Sequence, residues 1–202
     1  MYVPPAFAEN DTAVAFEVIE QHGFATLVTI YDGAPFATHL PLLLDRAGGR
    51  LLGHVARANP QWQHFATGPV LAIFHGPHAY VSPTWYQPAP DQVPTWNYVA
   101  VHVRGRAQVL PPGPETVNVV ERLSAQYEPD GTYVVDPSAD GIQRLARAIV
   151  AFTIEIDEVI TKLKLSQNRS PEDRAAVQQR LAAGADPDGR NVAAWMKRRG
   201  LR

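Results

Sequence analysis

The chain contains no cysteine, and this absence is the first constraint on its chemistry. Disulfide bonds, thiolate catalysis and cysteine-ligated zinc or iron–sulfur sites are therefore excluded. No apolar run approaches the roughly 18 residues of a membrane span. The N-terminal residues also lack the basic and apolar regions of a secretion signal. We therefore expect a cytoplasmic protein with no membrane partner, and a cysteine-free chain fits a reducing compartment.

Several common catalytic and binding motifs are also missing. There is no Walker loop, no GxGxxG and no nucleophile elbow beside a Ser-His-Asp arrangement. No pair of histidines has the HxxxH or HExxH spacing of a zinc site on a helix. We therefore predict no metal site. Six of the seven histidines are scattered through the predicted β region: His39, His54, His64, His75, His78 and His102.

Length and charge favour a single domain with a tail. The chain has 202 residues, 46% of them hydrophobic, and a formal net charge of -2. A nearly neutral chain is not expected to bind nucleic acid over its whole surface, although a local basic patch remains open. We predict one domain over residues 1–175 and a helical tail over 176–202, packed on the same domain or on a second subunit.

Alternating apolar residues and turn signals predict a mainly β protein with inserted helices. Asp11 and Gly23 bracket a first helix, Pro114 begins another, and Ser170 caps one near the C-terminus. Residues 76–95, rich in proline and aromatics, are expected to form a structured loop. A barrel would remove the free edges of so many antiparallel strands. The predicted strands are 24–30, 35–44, 50–55, 70–75, 97–110 and 150–165.

The segment Gly53–Trp62 has the pattern of a strand, a polar turn and a helix start. Asn59 is a favoured N-cap residue and Pro60 suits the first helical position. A helix start offers free backbone N–H groups, to which Arg57 adds a cation and His54 a donor. Together they could hold a phosphate monoester. The alternative is an ordinary helix cap beside a surface arginine.

Two segments concentrate aromatic residues between prolines. Trp85 and Trp96 lie in them, flanked by tyrosines. Aromatic side chains at this density could wall a flat ring system, with hydroxyl and amide groups bonding its edge. The alternative is a barrel end plugged by aromatic side chains. The flanking tyrosines are Tyr80, Tyr86 and Tyr98, and the polar residues are Ser82, Thr95 and Asn97.

The segment KLKLSQN combines cations with a strand pattern. Lys162, Lys164 and Ser166 share one face by the period of two, while the intervening leucines face apolar packing. Two cations and a hydroxyl could meet an anion, and Gln167 and Asn168 continue as amide groups. The alternative is a solvated strand edge, where lysine discourages aggregation.

These segments resemble one known family. GHVARANPQW, GPHAYVSPTWY, VPTWNYVAVHVRG and KLKLSQN, with the opening MYVPPAF, are similar to the PaiB family, described as FMN-binding negative transcriptional regulators. The resemblance runs from residue 1 to about residue 175. It implies a six-stranded antiparallel split β-barrel, a homodimer, and FMN at the subunit interface.

The resemblance also implies which residues contact the cofactor. His54, Arg57 and Asn59 would hold the FMN phosphate, with the lysines nearby, and the tryptophan loops would border the flavin ring. Thr26, Thr38 and His39 are further candidates on early strands. The implied cofactor-binding residues are His54, Arg57, Asn59, Ser82, Trp85, Tyr86, Thr95, Trp96, Asn97, Lys162, Lys164, Ser166, Gln167 and Asn168.

Three functions remain open at this point. The first is an FMN-binding regulator that binds DNA, for which the basic residues Lys197, Arg198, Arg199 and Arg202 are candidates. The second is an FMN-dependent oxidoreductase of the flavin reductase type, with His39, His78 or His102 as proton donor. The third is a haem-binding split barrel, which the number of histidines permits. No catalytic residue is assigned.

Overall fold

The computed structural model describes residues 1–88 and 92–200. They divide into two compact units. Of the described residues, the first unit contains 1–18, 75–88, 92–101 and 160–200, and the second contains 19–74 and 102–159. Among the described residues, no helix is long and apolar enough to cross a membrane.

The strands form a mainly antiparallel sheet. Its order runs β3-β2-β6-β7-β8-β5-β4, and β1 pairs with β8. Three long strands, β6, β7 and β8, contribute residues to both units. The eight strands are β1 (Ala8–Glu9), β2 (Phe24–Tyr31), β3 (Ala34–Pro41), β4 (Leu43–Asp45), β5 (Arg50–Ala56), β6 (Val70–Val81), β7 (Thr95–Val109) and β8 (Ile149–Lys164).

All six predicted strands are present, and one short strand, β1, was not predicted. The strand predicted over 35–44 is divided at Leu42, whose backbone N–H donates to the carbonyl of Gly23 at 2.8 Å. The β2–β3 hairpin turns at Asp32 and Gly33, with φ values of 49° and 76°. Positive φ at both central residues gives the turn the twist that a two-residue hairpin needs.

The prediction of a loop over residues 76–95 is wrong at its start, because β6 continues to Val81. Gly76 and Pro77 interrupt the sequence pattern without ending the strand. A Cβ at Gly76 would lie 2.9 Å from the Cβ of Val99, so the glycine permits close approach to β7. The rest of the segment contains a single-turn 3-10 helix, Pro83–Trp85.

The second unit packs two helices near β5 and β8. Helix α2 (Pro114–Tyr127) begins at Pro114 as predicted, and the short helix α3 (Asp140–Ala146) follows it. Val119 and Leu123 of α2 form a buried cluster with Leu52 and Ala151. A 3-10 helix, Pro60–Thr67, follows β5.

The first unit contains the C-terminal helices α4 (Pro171–Ala183) and α5 (Pro187–Arg198). Ser170 caps α4 as predicted, since its hydroxyl accepts from the backbone N–H of Asp173. Trp195 and Met196 of α5 are buried. Helix α1 (Thr12–Gln21) begins in the first unit and ends in the second.

Candidate functional site

Lys164 lies at the end of β8 in the first unit, held by two oxygen atoms. Its Nζ donates to Thr95 Oγ1 at 2.5 Å and to the Trp96 carbonyl at 2.6 Å. Partial burial of the ammonium lowers the pKa of Lys164, and the positive charges of Lys162 and Arg169 lower this pKa further. The ammonium of Lys164 is therefore held by neutral oxygen atoms that do not fully compensate its charge.

The neighbouring cations have contacts of a similar kind. Lys162 Nζ donates to the Tyr2 carbonyl at 3.1 Å and lies 5.3 Å from the centre of the Tyr98 ring. The Arg169 guanidinium lies 4.3 Å from the centre of the Tyr86 ring. Within residues 1–88 and 92–200, neither lysine nor Arg169 pairs with a carboxylate within 4 Å. An anion would relieve the repulsion among them.

An exposed aromatic surface adjoins this region of the first unit. Trp96, whose carbonyl binds Lys164, is 52% exposed. Its ring lies 6.0 Å from the Tyr80 ring, edge to face, and 6.1 Å from the His78 ring. Exposed indole and phenol rings offer a flat surface for another ring system. We name Lys162, Lys164, Arg169, Tyr80 and Trp96 the lysine–aromatic cluster.

Other predicted contacts of the first unit are buried inside it. Asn97 Nδ2 donates to Ser166 Oγ at 2.9 Å, and the two residues are 1% and 4% exposed. Ser166 has a φ of 65°, and Gln167 bonds the main chain of Leu163 and Leu165. These groups fix the turn after β8 and so position Lys164.

The remaining predicted residues of the first unit are distributed differently. Ser82 caps the short 3-10 helix by accepting from the Thr84 N–H, and its hydroxyl lies 2.8 Å from that of Thr84. Tyr86 is buried, Trp85 is half-buried and Asn168 is exposed. Their contact with a cofactor stays a prediction.

In the second unit, the structure joins the early-strand candidates in two pairs. Thr26 Oγ1 and His39 Nδ1 are hydrogen-bonded at 3.0 Å, on directly paired residues of β2 and β3. Asn59 Nδ2 donates to Thr38 Oγ1 at 2.9 Å. Asn59 also caps the 3-10 helix, as predicted, by accepting from the Gln61 N–H.

Arg57 and His54 of the second unit face other surroundings. Arg57 Nε and Nη2 donate to the carbonyls of Arg147 and Ile149 at 2.7 and 2.8 Å, which ties β5 to the start of β8. The His54 ring lies on the wall of a cavity lined by α2 and α3. A phosphate contact of either residue stays a prediction.

Sequence analysis missed one member of the cluster. Arg169 follows directly after KLKLSQN, and it is the third cation that acts on Lys164. The run of cations to its N-terminal side was the available signal. The cavity beside His54 had no signal in the sequence, because its lining comes from separated helices and strands.

The chain matches a family model described as "Putative FMN-binding domain" over residues 1–158. It is similar to the protein named "Protease synthase and sporulation protein PAI 2" of Bacillus subtilis. The two are 34% identical over 206 residues, which cover 98% of this chain and 97% of the relative. This coverage is nearly complete on both sides.

Two solved structures share the fold. The flavocytochrome Anf3 from Azotobacter vinelandii has a TM-score of 0.67 and 15% identity, covering 84% of this chain and 75% of that one. The FAD and heme binding protein from Mycobacterium smegmatis has a TM-score of 0.63 and 16% identity, covering 84% and 79%. The predicted split-barrel fold is thus confirmed. Together with the family match, this places the chain in the PaiB family.

Proposed function

We propose that the protein binds FMN and that the lysine–aromatic cluster contributes to this binding. The observation that carries the proposal is a group of three cations without a carboxylate partner among the described residues, beside an exposed tryptophan. Cations of this kind suit the phosphate of FMN, and the indole suits its flat ring. The family match supports the same cofactor class.

The residues of the first unit fit both the phosphate and the flat ring of FMN. The Nζ atoms of Lys162 and Lys164 supply charge-assisted donors for a phosphate. Trp96 and Tyr80 offer apolar ring surface, and the buried Asn97–Ser166 pair keeps the end of β8 in place. For Thr26, Thr38, His39 and Asn59 of the second unit, contact with a cofactor stays a prediction. Bound flavin would supply hydride-transfer chemistry.

The test of this proposal is the absorption spectrum of the purified protein, followed by mass identification of the released cofactor. We expect the two bands of oxidised flavin and the mass of FMN. The cofactor-free protein should then bind FMN more tightly than riboflavin, because riboflavin lacks the phosphate. A Soret band would establish the haem alternative, and a protein that binds no flavin on titration would contradict the proposal.

The same sample tests the oxidoreductase alternative. His78 favours this alternative, because the centre of its ring lies 6.1 Å from the centre of the Trp96 ring in the cluster. Reduction of the bound flavin by NADH or NADPH, with reoxidation by a quinone, would support it. A flavin that neither nicotinamide donor reduces would remove it.

Transcriptional regulation remains a proposal. Direct contact between the C-terminal arginines and DNA has little structural support. Arg198 forms a bidentate ion pair with Glu17, with both N–O distances at 2.6 Å, and Arg199 pairs with Glu9. A guanidinium already bound to a carboxylate is less available to a phosphate. Arg202 lies outside the described residues. A regulatory role would therefore act more readily through a protein partner or a flavin signal.

We also propose a homodimer, on the basis of the outer face of β2 in the second unit. Phe24 is 67% exposed and Ile30 is 55% exposed, and Thr26 lies between them on the same face. A second copy of the chain would cover this apolar face.

Light scattering after gel filtration tests the dimer. We expect twice the chain mass for the native protein and a shift towards one chain mass for Ile30→Asp, which places a charge in the contact. Val109→Asp makes the same change at another exposed position and should remain dimeric. A native protein of single-chain mass would contradict the proposal.

A further inference from the structure

The second unit contains a cavity that neither the lysine–aromatic cluster nor the proposed dimer face uses. It has a volume of about 320 Å³ and lies among α2, α3, the start of β8 and His54 of β5. Val117 and Val120 of α2 form one wall, and Ile142 and Leu145 of α3 form another. The volume is near the lower end of the range of about 300–1,000 Å³ found for small-molecule pockets.

The chemistry of the lining is mostly apolar. Eight of its eleven residues are aliphatic, and none carries a fixed charge. The polar members are His54, Ser124 and Tyr133. A lining without Lys or Arg does not suit a phosphate, so the cavity is not built for the charged end of FMN. It suits an uncharged ligand with only a few polar atoms.

His54 provides the directional group of this cavity. Its Nδ1 is buried and has no hydrogen-bond partner among the described residues. Burial lowers the pKa of His54, so the ring is neutral at physiological pH. An unpaired N–H costs more to bury than an unpaired acceptor, which favours the tautomer with the proton on Nε2. Nε2 is then the donor of a side chain that belongs to the cavity lining.

We propose that this cavity binds an uncharged, largely apolar small molecule whose carbonyl or ether oxygen accepts a hydrogen bond from His54 Nε2. The aliphatic walls supply the affinity and the imidazole supplies the orientation. Ser124 and Tyr133 add hydroxyl groups to the lining. These hydroxyls suit a polar edge of the ligand, while the aliphatic walls suit its apolar body.

Prodan, an uncharged naphthalene ketone whose fluorescence depends on polarity, is a suitable probe, and naphthalene is its counterpart without an acceptor. We expect saturable binding of prodan with a blue-shifted emission. His54→Phe keeps an aromatic ring but removes the donor. It should weaken prodan binding about three- to tenfold, the effect of one hydrogen bond, and leave naphthalene binding unchanged.

Filling the cavity gives a second, independent test. Val120→Trp places an indole in the space and should weaken binding of both probes by at least about tenfold, since the apolar contact area is lost. Val109→Trp makes the same change at an exposed position outside the lining and should bind like the native protein. Circular dichroism of each variant identifies any that fails to fold, and His54→Phe then carries the test.

Four results would overturn the proposal. Three of them are the absence of saturable prodan binding, native-like binding by folded Val120→Trp, and equal weakening of both probes by His54→Phe. Loss of prodan binding as protein concentration rises would also overturn it, because a second copy of the chain would then cover the cavity. FMN titration of Val120→Trp should match that of the native protein, so failure of either site is seen separately.

Discussion

Replacing Lys164 with glutamine is expected to weaken FMN binding by about ten- to a hundredfold, the loss of one hydrogen bond between charged groups. Riboflavin binding should change by less than about threefold, because riboflavin has no phosphate for the ammonium to contact. Glutamine keeps a donor for the Thr95 hydroxyl and the Trp96 carbonyl, so the local structure is expected to persist.

The pH dependence of FMN affinity gives a second measure of the same residue. Lys164 must be protonated to attract the phosphate, and its pKa is lowered by burial and by Lys162 and Arg169. FMN affinity should therefore fall as the pH rises through this lowered pKa, at a pH below the usual 10.5 of lysine. Lys164→Gln should lose this alkaline decrease, while the acidic decrease from phosphate protonation remains.

Lys197→Gln is the matched control, since it removes the same charge from an exposed position on α5. It should bind FMN like the native protein at low and moderate ionic strength. Equal weakening by both variants would mean that only the net charge matters. Equal loss of FMN and riboflavin affinity in Lys164→Gln would show that Lys164 supports the structure rather than the phosphate.

The local sequence predicted what depends on neighbours along the chain. Lys162 and Lys164 alternate with Leu163 and Leu165, and the structure buries both leucines and groups the cations. Asn59 and Pro60 likewise begin a helix as predicted. In each case the pattern and its consequence lie within one element, where strand period or capping chemistry decides the outcome.

The hydrogen bonds that the sequence could not predict join residues that lie far apart along the chain. Asn97 is paired with Ser166, 69 residues away, and its contact with a ligand stays a prediction. Two guanidinium nitrogens of Arg57 bond carbonyls about 90 residues away, and its contact with a phosphate stays a prediction. Side-chain type indicates which bonds a residue can make, but only the fold determines which partner lies within hydrogen-bonding distance.

Gly105 gives the largest stability effect that we expect from a single small substitution. It lies in β7, within the segment VHVRG by which the chain resembles its family. A Cβ at this position would lie 2.1 Å from the Glu155 carbonyl oxygen and 2.7 Å from Ile154 Cγ2. Because the oxygen belongs to the backbone of β8, no side-chain rotation relieves the clash. Gly105→Ala should therefore lower the free energy of unfolding by about 3 kcal/mol or more.

Gly141→Ala provides the control within the same unit. Gly141 lies in α3, and a Cβ there would meet no atom within 4 Å. Alanine should raise the free energy of unfolding by about 0.5–1 kcal/mol, because it favours the helix. Urea denaturation at one pH measures both changes. A Gly105→Ala protein as stable as the native one would mean that β7 and β8 can separate without cost. The glycine of VHVRG would then need a functional explanation rather than close strand packing.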